Sequence, residues 1–304
     1  MHSLFSSAPS TTHFAKQDNS KNQAITQKMF YSIPATDEVS SSDSVTASLL
    51  FYVHNHILYL TLNRPSVLNA IDLDMAIALH DLLAEARANQ TIRAIVITGS
   101  GRAFCAGGDL KFAMAANPDT PGDSFLVLTE VLHRCIEEIR TMPKPVIAAI
   151  NGAAAGAGLF LALACDLRVM ANTAYLKQSN TSYGLSLPAG GTFTLPRLVG
   201  MGRALEIVML DDPIPAARAD ELGLVNRVVE ASSLIEQSQS LAEGVAQMPV
   251  GVLGRVKQLM NQSCYNTLNQ QLHLEQQAIA ISANSSEGRE GISAFIQKRR
   301  PAYI

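Results

Sequence analysis

Hydrophobic positions along this chain follow two periods, one typical of strands and one typical of helices. Short apolar runs rich in β-branched residues predict strands, and amphipathic stretches between them predict helices. The first two runs, 49–53 and Ile57–Leu62, predict a hairpin that turns at His54-Asn55-His56. Further strands are predicted over 94–98, 146–150, 167–170 and 225–229. Because strands and helices alternate, we expect an α/β fold with a largely parallel sheet and crossover helices.

The helical pattern is clearest after Asp72 and again in the last quarter of the chain. Asp72 is placed to cap a helix whose apolar residues share one face, namely Met75, Leu79, Leu82, Leu83 and Ala86. Beyond Val229, helices are predicted over 232–247, 250–263, 267–281 and 287–298. Residues 1–45 are rich in Ser, Thr, Asn and Gln without periodicity, which predicts disorder. We therefore expect a disordered extension (1–45), a core (46–230) and a C-terminal helical layer (231–304).

Composition excludes several classes of protein. A chain of 304 residues, 47% hydrophobic and 16% charged, is long enough for one large core or two modest ones. The net charge of −3, with no dense Lys/Arg stripe, argues against a nucleic-acid partner. Four cysteines stand far apart with no Cys-x-x-Cys pair, so we expect neither a metal site nor a disulfide framework. All four are expected to be small buried hydrophobic residues, in a reducing compartment.

One stretch is long and apolar enough to raise the question of a membrane span. Residues 146–165 carry no charge, but Asn151-Gly152 interrupts them and Asp166 follows directly. A strand, a turn and a buried helix fit this pattern better than a transmembrane helix. The N-terminal segment has neither an apolar signal region nor any Arg, and the chain ends without a peroxisomal signal. We therefore expect no membrane association and a cytoplasmic location.

Two glycine-rich turns carry the candidate chemistry. They are Gly101-Arg-Ala-Phe-Cys-Ala-Gly-Gly-Asp-Leu-Lys111 and Asn151-Gly-Ala-Ala-Ala-Gly-Ala-Gly158. Each follows a strand-like run and leads into an apolar, helix-compatible stretch. Two such turns are able to direct two backbone N–H groups at one point, which is how an enolate or a tetrahedral oxyanion is bound. Either turn alone is weak evidence, because glycine-rich turns between strand and helix are common in α/β proteins.

Nucleotide-binding motifs do not account for these turns. Gly156-Ala157-Gly158 lacks the third glycine of a dinucleotide fingerprint and does not lie in the first strand–helix unit. The chain also contains no phosphate-binding P-loop sequence and no serine elbow.

At this spacing the two turns resemble those of the crotonase (enoyl-CoA hydratase/isomerase) superfamily, and the resemblance covers residues 49–304. The chain is most similar to the bacterial isomerase/hydratase branch that includes the phenylacetate-pathway enoyl-CoA isomerase. Landmarks include Cys165-Asp166, Pro196-Arg-Leu-Val-Gly200 and Glu287-Gly-Arg-Glu-Gly-Ile-Ser-Ala-Phe295. The resemblance implies a ββα spiral core with a C-terminal helical trimerisation layer. It also implies a homotrimer or a dimer of trimers, with a CoA thioester as substrate and no bound cofactor.

The resemblance assigns roles to individual residues. The backbone N–H groups of Gly108 and Ala157 are the implied oxyanion donors. The implied substrate and CoA contacts are Ala106, Gly108, Asp109, Leu110, Lys111, Phe160, Phe295 and Lys298. Lys111 would meet the nucleotide end of CoA, and Phe295 and Lys298 would close over it. A solvated helix end is the alternative for Lys298, and capping of its own turn is the alternative for Asp109.

The chain departs from the family at its acid and base positions. The two carboxylates of a hydratase would fall at Phe160 and Asn180, and an isomerase acid at Pro188, so none of the three is acidic. Asn180 is able to orient a water or a substrate group, and Tyr183 is able to donate a proton. Ordinary turn and pocket lining is the alternative for both. No histidine lies between His133 and His273, which argues against a Ser–His hydrolytic pair in this segment.

Three functions remain open on the sequence. The first is an acyl-CoA enzyme of the hydratase/isomerase type that holds an enolate or oxyanion without the usual carboxylates. The second is a thioester hydrolase or decarboxylase with the same fold, since oxyanion stabilisation alone supports those reactions with less acid or base help. The third is a non-catalytic acyl-CoA-binding paralogue that acts as an oligomer partner.

Overall fold

The computed structural model describes residues 48–116 and 118–303. The predicted disorder of residues 1–45 lies outside the described residues. The strands are β1 (Leu49–His54), β2 (Ile57–Leu62), β3 (Ala94–Gly99), β4 (Ala103–Cys105), β5 (Val146–Ile150), β6 (Ala153–Ala155), β7 (Leu167–Ala171), β8 (Tyr175–Lys177), β9 (Ile214–Pro215) and β10 (Arg227–Val229). The helices are α1 (Leu73–Ala88), α2 (Leu110–Ala116), α3 (Pro121–Thr141), α4 (Ala157–Ala164), α5 (Gly191–Val199), α6 (Met201–Leu210), α7 (Ala216–Glu221), α8 (Leu234–Ala246), α9 (Val250–Ser263), α10 (Leu268–Asn284) and α11 (Ser286–Ile296).

The larger sheet has six strands in the order β1-β2-β3-β5-β7-β10. Strands β1 and β2 form the predicted antiparallel hairpin, and the other neighbours pair in parallel. The hairpin turn is left-handed at both Asn55 (φ 50°) and His56 (φ 63°), as a two-residue hairpin turn requires. All five residues of β5 are buried, which is typical of a central parallel strand covered on both faces. The last strand begins at Arg227 rather than at the predicted 225, because Asn226 still belongs to the bend that precedes it.

A smaller sheet was not predicted, and it positions the two glycine-rich turns. Its four strands have the order β4-β6-β8-β9. Strands β4 and β6 pair in parallel, so the chain leaves both at the same edge. Each glycine-rich turn contains one of these strands, with its second set of glycines directly after the strand, and the turns therefore lie beside each other.

Helix α1 forms as the hydrophobic pattern predicts. The carboxylate of Asp72 accepts a hydrogen bond from the N–H of Met75 at 2.9 Å, which satisfies one of the free donors of the first turn. The predicted apolar face is buried. It packs against α3, the helix that crosses over from the first glycine-rich turn to β5.

The C-terminal helices form the predicted layer. Helix α8 packs against β3, β5 and β7 of the larger sheet. The ammonium group of Lys257 on α9 lies 2.7 Å from Asp166 and donates to the carbonyl of Ile139 at 2.6 Å, which ties α9 to the core. Large apolar side chains remain exposed on and between α9, α10 and α11, among them Met260, Tyr265, Leu268, Leu272, Ile279, Ile281, Ile292, Phe295 and Ile296. None of the helices within the described ranges is long and apolar enough to cross a membrane.

Three of the four cysteines are the small buried residues that the sequence predicts. Burial raises the pKa of the Cys105, Cys135 and Cys165 thiols to about 12. The prediction is wrong for Cys264, which is exposed because it follows the last turn of α9. Across residues 48–116 and 118–303, no three acidic, histidine or cysteine side chains group as metal ligands.

Candidate active site

The two glycine-rich turns touch at Gly107 and Gly156. Both glycines have left-handed backbones, with φ of 107° and 51°. A Cβ atom on Gly107 would lie 3.1 Å from the carbonyl oxygen of Ala155 and 3.3 Å from the backbone nitrogen of Ala157. A side chain at Gly107 would therefore be strained by its backbone and crowded by the second turn. Glycine here permits the close approach that brings Gly108 and Ala157 to one place.

The N–H groups of Gly108 and Ala157 stay available, while their neighbours are engaged. The carbonyl of Gly107 accepts from Ile71, and the N–H of Asp109 donates back to Ile71, at 2.7 and 2.8 Å. Within the described part of the chain, no acceptor pairs with the N–H of Gly108 or of Ala157. Ala157 is the first residue of α4, so the helix dipole adds partial positive charge at this point.

Both turns border one cavity of about 420 Å³. Its third wall is one face of α3, from which residues spaced three to four positions apart line the cavity. Its fourth wall is the segment 179–188. The complete lining is Ala106, Gly107, Gly108, Leu110, Gly122, Phe125, Leu126, Leu128, Thr129, Leu132, His133, Gly156, Ala157, Ser179, Asn180, Tyr183, Leu185, Ser186, Leu187 and Pro188. Most of these side chains are apolar, which suits an acyl chain. None of these lining residues is a carboxylate; the ionisable ones are His133 and Tyr183.

Asp109 holds the first turn in shape. Its Oδ1 accepts from the N–H groups of Lys111 and Phe112 at 3.1 and 3.2 Å, which caps α2. Its Oδ2 lies 3.0 Å from the Arg64 guanidinium, which also pairs with Asp72 at 3.2 Å. The carboxylate is thereby committed to the turn rather than directed into the cavity.

Asn69 supports the same turn through hydrogen bonds to its backbone. Sequence reasoning missed both Asn69 and Arg64. The side chain of Asn69 is fully buried and donates to the carbonyls of Ser100, Ala103 and Phe104 at 2.9, 2.8 and 3.2 Å. Its Oδ1 accepts from the N–H of Arg64 at 2.9 Å. The backbone of Asn69 is left-handed (φ 56°), a conformation in which Asn is enriched. Isolated polar residues in a short connection give no periodic signal, so the pattern could not reveal them.

Phe160 does not line the cavity. Its side chain is fully buried, and a Cβ atom on Gly191 would lie only 2.7 Å from its ring. The ring packs α4 against the start of α5. The structure therefore does not support the expected substrate contact of Phe160, although the position still contributes no carboxylate.

Asn180 and Tyr183 do lie on the cavity wall. A Cβ atom on Gly156 would stand 3.5 Å from Oδ1 of Asn180, which places this amide beside the second turn. Its Nδ2 donates to the carbonyl of Ser186 at 3.3 Å, while Oδ1 is buried and has no partner among the described residues. Tyr183 is 69% exposed and stands at the rim.

His133 is the cavity residue that the sequence did not reveal. No histidine lies in the sequence segment around 179–188, yet α3 brings His133 against that segment in the fold. Its Nε2 accepts the backbone N–H of Ala189 at 3.1 Å. The signal that could have found it is helical spacing, because His133 follows Thr129 by four residues on the same face of α3.

The expected CoA-binding residues divide into two groups. Ala106 and Leu110 line the cavity, and Lys111 is exposed one residue beyond Leu110. Phe295 is 85% exposed, and Lys298 is exposed just after α11. Neither belongs to the cavity lining of the single chain.

Comparison with known proteins decides the family. The sequence pattern of the Enoyl-CoA hydratase/isomerase family matches residues 53–304. The chain belongs to this family. It is 36% identical over 255 residues to 1,2-epoxyphenylacetyl-CoA isomerase of Escherichia coli (strain K12), covering 84% of this chain and 97% of the relative. It is 34% identical over 257 residues to 2,3-dehydroadipyl-CoA hydratase of the same strain, covering 84% and 98%.

Solved structures agree with this assignment to the enoyl-CoA hydratase/isomerase family. An enoyl-CoA hydratase from Polaromonas sp. JS666 superposes with a TM-score of 0.80 at 39% identity, covering 84% of this chain and 99% of that one. The resemblance and the α/β fold class with C-terminal helices, both predicted from the sequence, are confirmed. The chain is thus an acyl-CoA enzyme of the hydratase/isomerase family.

Proposed function

We propose that this hydratase/isomerase family member binds an acyl-CoA thioester with its carbonyl oxygen between the N–H groups of Gly108 and Ala157. The supporting observation is that both donors border one apolar cavity and no described residue accepts from either. As the oxygen gains negative charge, each donor contributes about 3 kcal/mol to the transition state. CoA enters as part of the substrate, and no resident cofactor is required.

The proposed reaction is a rearrangement of the acyl group that adds no water. Hydration needs one group to take a proton from water and another to give a proton to the α-carbon. Phe160 packs away from the cavity and Asn180 does not titrate, so neither serves. The isomerase acid position, Pro188, is empty as well, so any proton transfer in the proposed rearrangement relies on the ionisable lining residues, His133 and Tyr183. The relative whose name states an isomerisation, 1,2-epoxyphenylacetyl-CoA isomerase, supports the choice.

A panel of acyl-CoA thioesters followed by mass spectrometry tests the proposal. Rearrangement changes retention time and leaves the mass unchanged. Addition of water would identify a hydratase, and release of CoA or of CO₂ would identify the hydrolase or decarboxylase alternative. Binding without any turnover would identify the non-catalytic paralogue.

We also propose that the chain assembles as a homotrimer or a dimer of trimers through α9, α10 and α11. The support is the set of exposed apolar side chains on this layer, including Ile279 at 68% and Phe295 at 85% exposure. Assembly would cover them and would allow Phe295 and Lys298 to act at a neighbouring copy. Light scattering measures the assembly directly, and Ile279→Asp is expected to lower its mass while Ile77→Asp, on the exposed side of α1, leaves it unchanged.

A further inference from the structure

His133 is held in one tautomer by the backbone. A backbone N–H donates only to an unprotonated ring nitrogen, so an imidazole that accepts at Nε2 is neutral and carries its proton on Nδ1. The bond from Ala189 to Nε2, at 3.1 Å, therefore favours the tautomer that carries its proton on Nδ1. The polar atom of His133 left for a cavity ligand is the Nδ1–H group.

The donor that fixes this tautomer is itself held firmly. Ala189 is fully buried and left-handed (φ 53°), and Gly190 after it is left-handed as well (φ 72°). The N–H of Gly191 donates to Pro188 at 3.0 Å, and that of Thr194 donates to Gly190 at 2.8 Å, as α5 begins. A left-handed alanine is strained and persists where its surroundings determine it. Here the result is an N–H directed at His133.

Two other polar groups on the cavity wall are already engaged. The Thr129 hydroxyl donates to the carbonyl of Phe125 at 2.6 Å, and Nδ2 of Asn180 donates to Ser186. Over residues 48–116 and 118–303, no acceptor pairs with Nδ1 of His133. The thioester oxygen is served by Gly108 and Ala157. The imidazole is thus a donor available to a second oxygen atom.

We propose that His133 donates its Nδ1–H to an oxygen atom on the acyl group of the bound thioester. The inference rests on the proposed acyl-CoA function and deepens it by naming a substrate class. Its substrates carry a keto, epoxide or hydroxyl oxygen near the thioester, in addition to the thioester carbonyl. A neutral imidazole that polarises a substrate oxygen is an established catalytic device.

Binding of two thioesters that differ in one oxygen tests the donor. Acetoacetyl-CoA has a keto oxygen that butyryl-CoA lacks, and a keto oxygen only accepts hydrogen bonds. Calorimetry is expected to show acetoacetyl-CoA binding about 5- to 10-fold more tightly, as one neutral hydrogen bond provides. Equal affinities would overturn this inference and leave the proposed function standing. If neither thioester binds, both fall.

Three variants locate the effect on one nitrogen. His133→Asn places an amide NH₂ near the position of Nδ1 and should keep the preference for acetoacetyl-CoA. His133→Gln places its amide near the position of Nε2, and His133→Phe has no donor, so both should lose the preference, measured as the ratio of the two affinities within each variant. The opposite ranking of Asn and Gln would refute the assignment. Thermal melts establish that each variant is folded.

The tautomer has a direct spectroscopic test. In protein labelled with ¹⁵N-histidine, the imidazole shifts of His133 should report a protonated Nδ1 and an unprotonated Nε2, both free and with acetoacetyl-CoA bound. A ring protonated at Nε2, or a doubly protonated ring in the complex, would overturn the proposal.

Discussion

The guanidinium of Arg64 lies 3.0 Å from Oδ2 of Asp109, and this contact connects the end of β2 to the first glycine-rich turn. The same Arg64 pairs with Asp72 at the start of α1 and donates to the carbonyl of Ala70 at 2.6 Å. One side chain therefore holds the first glycine-rich turn, the start of α1 and the segment before it. Because the turn presents the N–H of Gly108, its geometry depends on this contact as well as on its own glycines.

Replacing Arg64 by Met should loosen the turn. The change removes charge-assisted hydrogen bonds that are largely shielded from solvent, and we expect the free energy of unfolding to fall by about 2 kcal/mol. Affinity for an acyl-CoA should fall as well if Gly108 and Ala157 bind the thioester as proposed, because their N–H groups lose their fixed position. Chemical denaturation and calorimetry measure the two effects.

Arg134→Met is the matched control for that experiment. Arg134 pairs with Glu130 one turn away on α3, and both side chains are more than half exposed. Such a surface pair contributes about 0.5 kcal/mol or less, so this variant should unfold and bind like the parent. Equal losses in the two variants would show that the Arg64 contact has no special role in the turn.

Gly108→Pro should abolish turnover, since proline has no N–H to stabilise the developing negative charge. Gly108→Ala retains the N–H, and its Cβ would lie an ordinary 3.7 Å from Leu128. We therefore expect the alanine variant to keep most of the activity. A circular-dichroism spectrum shows whether the proline variant is folded. A folded proline variant that turns over like the parent would contradict the oxyanion role of Gly108.

Sequence pattern predicted those parts of the fold whose periodicity extends over many residues. Helix α1 and strand β5 have long apolar patterns, and both form where expected. Strands β4, β6, β8 and β9 have two or three residues each, too few to show a period, so the small sheet was missed. This sheet sets the two turns side by side, so the motifs were recognisable while their geometry was not.

The candidate site shows the same division. The turns that carry Gly108 and Ala157 were predicted because each is a short, contiguous run of glycine and alanine that can be read directly from the sequence. His133 was missed because its partner, Ala189, is a backbone amide on another segment, and a backbone amide has no sequence signature. Phe160 lies outside the cavity lining, because its position in the motif does not state which way a helical residue faces.

Lys144 should make the free energy of unfolding depend on pH in the alkaline range. Burial lowers the pKa of its ammonium to about 8 from 10.5, while its Nζ donates to the carbonyls of Ala86 and Asn89 at the end of α1. Below pH 8 the folded and unfolded chains are both protonated here, so this group adds no pH dependence. Between pH 8 and 10.5 the unfolded chain binds the proton more strongly, and alkaline pH then favours the folded state.

Comparison with Lys144→Met isolates this contribution, since buried thiols and tyrosines also titrate in the alkaline range. The free energy of unfolding of the parent minus that of the variant should rise between pH 8 and 10.5, by at most about 3 kcal/mol. Urea denaturation across that range measures the difference. A flat or falling difference would mean that Lys144 keeps an ordinary pKa in the folded protein.

Hydration of crotonyl-CoA should be slow in this chain. Each missing acid or base group costs about 10²- to 10⁴-fold in rate, and neither Phe160 nor Asn180 shares a proton with water at neutral pH. We therefore expect turnover far below the roughly 10 s⁻¹ of an ordinary enzyme. The loss of the enoyl absorbance measures this turnover. Calorimetric binding of crotonyl-CoA is the control, because it separates slow chemistry from an empty site. Turnover near 10 s⁻¹ would require a proton-transfer pair elsewhere on the cavity wall, and His133 with Tyr183 would then be the residues to replace first.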